Sequence, residues 1–247
     1  MEKQKNPGMN MLQLPKLSHH KSLTHGFTTK YAGDLHLVEE NRPATKKFWE
    51  ELSTDPLAVT SFKQTHSAHV AVINSSHRGT RVLGYDGGVT REKDIVLAIN
   101  TADCVPVLFY EKKHGIIGAV HAGWKGIVGG IITNAIEQIL SIGGDVDEIK
   151  ITIGPHIGAC CYEFSKDGVK AFEGRYEGED QVHFTIDDHI YVDVGKAAYI
   201  DAVRCGIALE NIDYYVGCTK CQEDTFFSYR RSNKKLDGEM VSFIGMR

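Results

Sequence analysis

The sequence lacks the features that mark membrane, secreted and nucleic-acid-binding proteins. No segment approaches the roughly 20 apolar residues of a membrane span, and residues 1–17 hold no apolar stretch typical of a secretory signal. The 28 lysines and arginines are outnumbered by 32 aspartates and glutamates, and no basic run is present to neutralise a chain of phosphates. We therefore expect a cytoplasmic protein that binds neither membranes nor nucleic acids.

Cysteine is also scarce, with six residues in 247. This number is too small for a disulfide scaffold, and the adjacent Cys160 and Cys161 could bridge each other only with strain, so we expect free thiols. Common catalytic motifs are missing as well: the sequence has no glycine-rich nucleotide loop, no Gly-x-Ser-x-Gly elbow and no His-Glu-x-x-His helix. These absences disfavour the common nucleotide-binding, esterase and zinc-protease classes.

What is present is an alternation of short apolar runs that is typical of a mixed α/β fold. Runs rich in β-branched residues predict strands over 57–62, 69–74, 94–100, 104–110, 115–122, 149–154, 189–195, 213–217 and 225–231. Helical spacing of apolar residues predicts helices over 45–53, 126–140, 165–176 and 196–206. Neighbouring strands favour a mixed or antiparallel sheet. We expect residues 1–17 to form a frayed leader and residues 18–247 to form a single domain.

Histidine and cysteine residues at predicted strand ends are the candidates for chemistry. His66 precedes a strand, Cys104 follows a short acidic turn, and His121 closes a strand. One thiolate and two imidazoles suit Zn²⁺ and leave a fourth position for water or substrate. Their spacing matches no standard metal motif, so a small buried thiol and two hydrogen-bonded histidines fit equally well. His69 also competes with His66 as a ligand.

A candidate anion site follows His121. The segment from Gly123 to Gly126 turns the strand into the predicted helix, so free backbone N–H groups and the positive end of the helix dipole lie beside Lys125. Such a turn attracts an anion, although glycines that shape the turn beside a solvated lysine give the same pattern. A metal with an open position next to this turn would suit phosphate as a co-substrate.

At these residues the sequence resembles the YfiH-like family, which is historically named for multicopper polyphenol oxidoreductase or laccase domains and described as purine nucleoside phosphorylases. The similarity covers roughly residues 20–247 and runs through HGFTTK (25–30), KQTHSAHV (63–70), TADCVPVLFY (101–110), AVHAGWKGIVGGI (119–131), IGPHIGACCYEF (153–164), VDVGKAAYIDAVRCGI (192–207), CTKC (218–221) and FFSYRR (226–231). The resemblance implies an α/β sandwich of mixed sheets flanked by helices, an architecture shared with cysteine hydrolases. It also implies that His66, Cys104 and His121 bind zinc and are catalytic.

The family resemblance implies phosphorolysis of adenosine, inosine, guanosine and methylthioadenosine to base and ribose 1-phosphate, with adenosine deamination in the same site. In phosphorolysis positive charge builds on the ribose, so a phosphate fixed near C1′ would stabilise the transition state. In deamination zinc lowers the pKa of the water that attacks C6. Candidates for substrate or phosphate contacts are Lys125, Gln64, Asp103 and Arg230, with Asp103 alternatively orienting a ligand histidine or capping a turn.

The sequence departs from the family pattern at three basic positions. Lys125 and Lys30 stand where arginine is common in the family. Glu239 follows Gly238, at a position where the family often has a basic residue. A lysine offers a point charge in place of the arginine fork. These departures weaken an anion site built from those segments.

Three other functions compete with phosphorolysis. In a cysteine amidase, such as one that edits cell-wall precursors, Cys104 would be the nucleophile and His121 its base. In a non-catalytic protein zinc would be structural, for which the lone pair Cys218 and Cys221 is weak support. A multicopper oxidase needs His-x-His pairs and a His-Cys-His motif, and the sequence has neither. We therefore expect that copper, if it binds in vitro, has no function in this protein.

Overall fold

The computed structural model describes residues 9–35, 37, 43–179 and 182–247. Within these residues the first of two large sheets has six strands. Their spatial order is β1 (Met11–Leu12), β2 (Leu23–Thr28), β15 (Met240–Met246), β7 (Val96–Thr101), β3 (Val59–Lys63) and β5 (Arg81–Leu83). The pairs from β1 to β7 are antiparallel, whereas β7, β3 and β5 are parallel, so the sheet is mixed.

The second large sheet is mixed in the same way. Its described strands have the spatial order β14 (Ile212–Tyr214), β10 (Ile149–Ile153), β8 (Val105–Glu111), β9 (Ile116–Ala122), β6 (Gly87–Thr90) and β4 (Ala71–Val72). The outer pairs β14–β10 and β4–β6 are parallel and the pairs between them are antiparallel. A small antiparallel sheet contains β11 (Glu163–Phe164), β13 (His189–Val192) and β12 (His183–Ile186).

Six α-helices lie within the described residues. They are α1 (Pro15–Ser18), α2 (Pro43–Glu51), α3 (Trp124–Val128), α4 (Ile131–Ser141), α5 (Lys166–Arg175) and α6 (Val194–Arg204). Helices α5 and α6 have side-chain N-caps. The Ser165 hydroxyl accepts a hydrogen bond from Gly168 N at the start of α5, and the Asp193 carboxylate accepts one from Lys196 N at the start of α6. No helix in this part of the chain is long and apolar enough to cross a bilayer.

The alternation of side chains along each strand divides the core into layers. On β8, Leu108 and Tyr110 face a cluster shared with Leu97 of the first sheet, so the two large sheets pack face to face. Phe109, on the opposite face of β8, packs against α4 and α6. The outer face of the first sheet is covered by Phe48 and Trp49 of α2. The prediction of a layered α/β sandwich with mixed sheets is confirmed.

Two predicted elements near the site differ from the structure, one in its continuity and one in its type. The helix predicted over 126–140 begins at Trp124 and is divided into α3 and α4, because Gly130 adopts a left-handed conformation with φ 86°. The strand predicted over 225–231 is a series of turns. Backbone donors at the end of this segment are taken by side chains, since Arg230 N donates to the Asp103 carboxylate and Arg231 N to the Ser228 hydroxyl.

The two ends of the chain also differ from the prediction. Residues 1–8 of the predicted leader lie outside the described residues, but β1 pairs with β2 and Leu17 is fully buried, so residues 9–17 pack onto the fold. The C-terminal segment, for which no strand was predicted, forms β15 in the middle of the first sheet. Both faces of β15 are buried, so its sequence lacks the apolar–polar alternation that identifies a half-exposed strand.

Candidate metal centre and cavity

His66, Cys104 and His121 converge at one edge of the sandwich. His66 follows β3 and Cys104 follows β7, and the carboxyl ends of these parallel strands meet at the same edge. His121 arrives from β9, where it is paired with Pro106 of β8, two residues beyond Cys104. The three ligand atoms lie within 4.8 Å of one another, with Cys104 Sγ 3.8 Å from His66 Nε2.

The fully buried carboxylate of Asp86, immediately before β6, organises this group. Its Oδ1 accepts hydrogen bonds from His121 Nδ1 at 2.8 Å and from His66 N at 2.9 Å. Its Oδ2 accepts from Ser67 N at 2.7 Å and from Thr65 N at 3.1 Å. His66 has a left-handed backbone with φ 60°, which these consecutive hydrogen bonds stabilise. One carboxylate therefore fixes both candidate histidine ligands.

The charges in the group favour a thiolate beside an imidazolium when no metal is bound. Burial alone would raise the pKa of Cys104, but His121 and His66 outweigh it and lower this pKa to about 6. Burial alone would lower the pKa of His121, but Cys104 and Asp86 raise it to about 10. For Asp86 the hydrogen bonds from His121 and Ser67 overcome burial and hold its pKa well below the usual range.

The donor set fits a zinc ion. Since His121 Nδ1 is engaged by Asp86, its Nε2 is the ring nitrogen left to bind a metal, the arrangement in which a carboxylate orients a zinc-bound histidine. A sulfur and a nitrogen on one tetrahedral zinc are about 3.5 Å apart, close to the 3.8 Å between Cys104 Sγ and His66 Nε2. A Cβ at Gly123 would lie only 2.7 Å from His66 Cδ2, so glycine keeps the group open there.

The three residues form part of the wall of a cavity of about 450 Å³. This volume lies in the range of roughly 300–1,000 Å³ that holds small-molecule ligands. The other lining residues are Leu37, Phe62, Gln64, Arg81, Asn100, Thr101, Ala102, Tyr229, Leu236 and Glu239. Gln64 is held rigidly, because its amide donates to Asn100 O at 2.8 Å and accepts from Asn100 N at 2.9 Å.

Of the predicted substrate contacts, Gln64 lines the cavity, whereas the other three are not among its lining residues. Lys125 is exposed, with Nζ 5.6 Å from the Trp124 ring centroid, and helix α3, in which it lies, has only five residues. Arg230 stacks its guanidinium 4.7 Å from the Tyr162 ring centroid and donates to Glu163 O. The Asp103 carboxylate accepts from Thr219 Oγ1 and Arg230 N, so it ties two segments together and does not hold a ligand histidine.

Two functional candidates were missed by the sequence analysis. Asp86 carries a usable signal, because a metal-binding histidine needs a carboxylate or carbonyl partner and Asp86 directly precedes a strand. Asp103 was considered for that role since it adjoins Cys104 in the sequence. Arg81, on the edge strand β5, carries no signal in a single sequence, and only the fold brings it to the cavity. His69, the competing ligand, instead contacts Gly84 O and is exposed.

Comparisons with known proteins agree with the fold. Residues 17–247 match the family model described as multi-copper polyphenol oxidoreductase laccase. The curated adenosine deaminase RL5, from an unknown prokaryotic organism, is 34% identical over 185 residues that cover 68% of each chain. The purine nucleoside phosphorylase YlmD of Geobacillus stearothermophilus is 32% identical over 200 residues, 75% of this chain and 71% of the relative. A crystal structure of YlmD from that organism has a TM-score of 0.89 at 27% identity and covers 98% of both chains.

Proposed function

Because the chain belongs to the multi-copper polyphenol oxidoreductase laccase family, we propose that it is a zinc-dependent purine nucleoside phosphorylase that also deaminates adenosine. Its proposed substrates are adenosine, inosine, guanosine and methylthioadenosine, with phosphate as co-substrate. The observation that carries the proposal is the convergence of His66, Cys104 and His121 on a cavity large enough for a nucleoside. These three side chains would hold the zinc, which when bound supplies Lewis-acid charge for the activation of water.

The residues of the cavity wall orient the nucleoside. Gln64 and Asn100 are fixed by their mutual hydrogen bonds, so they form a rigid wall against which a base or ribose can be held. Phe62 adds an apolar ring and Tyr229 a phenol that can donate or accept a hydrogen bond. Asp86 acts indirectly, by fixing the orientation of His66 and His121.

Phosphate binding is assigned to Arg81. Of the described residues that line the cavity, Arg81 is the one with a lysine or arginine side chain. Its guanidinium can bind phosphate through two parallel hydrogen bonds, and a phosphate fixed near C1′ stabilises the positive charge that develops on the ribose. Lys125 and Arg230, which are not among the residues lining this cavity, are weaker candidates for the same role.

Product analysis tests the proposal. Zinc-loaded protein is incubated with adenosine in the presence and absence of phosphate, beside Cys104→Ser and, as a matched control, Cys205→Ser. We expect inosine as the purine product without phosphate, and adenine, hypoxanthine and ribose 1-phosphate when phosphate is present. Cys104→Ser should form none of these products. Cys205 contacts Thr133 and is not among the residues that line the cavity, so Cys205→Ser should behave as the unmodified protein does. Folded, zinc-loaded protein that forms none of these products would refute the proposal.

The identity of the metal has its own test, because two imidazoles and a thiolate also suit copper. We expect zinc as the metal that copurifies with the active protein, measured by elemental analysis. A copper-loaded sample with an intense blue thiolate absorption and phenol oxidation, but no nucleoside turnover, would contradict the assignment.

A cysteine hydrolase is the second candidate, and one observation favours it. Cys104, His121 and Asp86 have the spatial arrangement of a nucleophile, its base and a carboxylate that orients the base. Despite burial, His121 and His66 lower the pKa of Cys104 to about 6. In this function the metal-free protein would be active. Covalent trapping of Cys104 by an electrophilic amide, together with amide hydrolysis in chelator-treated protein and no nucleoside turnover, would favour the hydrolase over the phosphorylase.

A further inference from the structure

A second group of metal-binding side chains lies outside the cavity wall. Cys160 and Cys161 follow β10, and Cys218 and Cys221 follow β14. Because β10 and β14 are parallel neighbours, the segments that leave their carboxyl ends meet at the same edge of the second sheet. The four sulfur atoms lie within 4.8 Å of one another. The pair Cys218 and Cys221, which seemed isolated in the sequence, thus finds its partner pair through the fold.

We propose that these four cysteines bind a second zinc ion, at a structural site separate from the cavity. Two thiolates on one tetrahedral zinc are about 3.8 Å apart. Cys221 Sγ lies 3.7 Å from Cys160 Sγ and 3.4 Å from Cys161 Sγ, so the sulfur atoms already have nearly the required spacing. Four thiolates are a common ligand set of structural zinc sites, and zinc binding releases the thiol protons.

The spacing of the four sulfur atoms supports a metal site over a disulfide. Cys218, the buried member of the group, lies with the other three sulfur atoms inside a distance of 4.8 Å. All four cysteines are free thiols, and Cys221 lies near both Cys160 and Cys161. A disulfide could satisfy only one of those two neighbours, whereas one metal ion satisfies all four sulfur atoms.

The proposed site would hold a loop that reaches the cavity. Thr219, between the ligands Cys218 and Cys221, donates from Oγ1 to Asp103 at 2.6 Å. Asp103 has a left-handed backbone with φ 97° and directly precedes Cys104. Its other oxygen accepts from Arg230 N, next to Tyr229 in the cavity wall. Zinc at the four cysteines therefore positions Asp103, and through it the segment that presents Cys104.

The number of zinc ions per chain tests the proposal. Full-length protein is purified in reducing buffer, and its zinc is counted by elemental analysis. We expect two ions per chain, one in Cys221→Ser, one in His66→Ala and none in the double variant, whereas Cys205→Ser should retain two. A single zinc that Cys104→Ser loses and Cys221→Ser keeps would overturn the second site. This outcome is distinct from failure of the proposed activity, since it is read from metal content alone.

Thiol protection provides a second measurement that does not depend on the stability of a variant. Cys160 and Cys221 are exposed, so without a ligand they should react readily with iodoacetamide in the folded protein. We expect them to be protected in the zinc-loaded protein and alkylated after treatment with a chelator, as read by mass spectrometry of the peptides. Rapid alkylation with zinc still bound, or a disulfide between Cys221 and Cys160 or Cys161 in the zinc-containing protein, would overturn the proposal.

Discussion

His121 Nδ1 donates to Asp86 Oδ1 at 2.8 Å, and both side chains are buried. The hydrogen bond fixes the ring so that Nε2 is directed toward the other two candidate ligands. Because Asp86 also accepts from His66 N, it links the loop after β3 to strand β9. Asp86 binds neither metal nor substrate in our proposal, but it positions His66 and His121 so that both can reach the same metal ion.

We expect Asp86→Asn to weaken zinc binding at the cavity by about 10- to 100-fold. Asparagine keeps the size of the side chain but loses the charge that stabilises the His121 N–H and the backbone donors around His66. The measurement is competition with a chromophoric chelator, followed by nucleoside phosphorolysis at saturating zinc. Asp55→Asn, at an exposed carboxylate paired with Arg78, is the matched control and should change neither value. Wild-type zinc affinity in Asp86→Asn would contradict the role of this carboxylate.

The thiol of Cys104 should remain reactive at a lower pH than an ordinary cysteine in metal-free protein. Burial opposes ionisation, but His121 and His66 lower the pKa of Cys104 to about 6, so the thiolate persists until the pH falls below that value. An ordinary thiol ionises near pH 8.5. We expect the rate of alkylation of Cys104, followed by peptide mass spectrometry, to have its midpoint near pH 6.

His121→Ala is the variant that tests the cause of this shift. It removes the nearby positive charge and leaves burial, so the midpoint for Cys104 alkylation should move to higher pH. His69→Ala is the control, because His69 is exposed and contacts Gly84 O instead of the group. An unchanged midpoint in His121→Ala would show that the thiol is not controlled by that imidazole.

Arg81→Gln should separate the two proposed reactions. Loss of a charged hydrogen-bonding partner costs about 1.5–3 kcal/mol, or roughly 10- to 100-fold in kcat/KM for phosphate. Deamination uses no phosphate, so it should change little. Arg81→Lys should recover part of the loss, and Arg78→Gln, which alters a nearby surface arginine paired with Asp55, should leave both reactions intact. Equal losses in phosphorolysis and deamination would place Arg81 in nucleoside binding and not in phosphate binding.

The sequence predicted the elements whose signal is local, and it named the three candidate ligands that the fold brings together. Strands such as β8 and β9 stand out because their short apolar runs are bounded by polar residues, and His66, Cys104 and His121 follow from the family resemblance. Strand β15 was missed because burial of both faces removes its alternation. Asp86 and Arg81 are brought to the site by the pairing of strands that are distant in the sequence. In the same way, the parallel pairing of β10 and β14 brings Cys160 close to Cys221. No spacing in the chain encodes these contacts.

Gly123→Ala should disrupt the metal centre without straining the backbone. Gly123 has φ −65° and ψ 160°, which alanine adopts freely, so the effect of the substitution is steric. The added Cβ would lie 2.7 Å from His66 Cδ2 and 3.4 Å from both Cys104 Sγ and His121 Cε1. We expect reduced zinc affinity and reduced phosphorolysis, with little change in the free energy of unfolding of the metal-free protein.

Gly174→Ala is the contrasting substitution, since no heavy atom lies within 4 Å of the position its Cβ would occupy in helix α5. Alanine should stabilise that helix by about 0.5–1 kcal/mol, measured by urea denaturation, and leave zinc affinity unchanged. The pair distinguishes a steric effect at the metal centre from a general effect of replacing glycine. If Gly123→Ala bound zinc as tightly as Gly174→Ala, His66 would have to move away from Gly123 and still reach the metal, and the arrangement of the three ligands described above would be wrong.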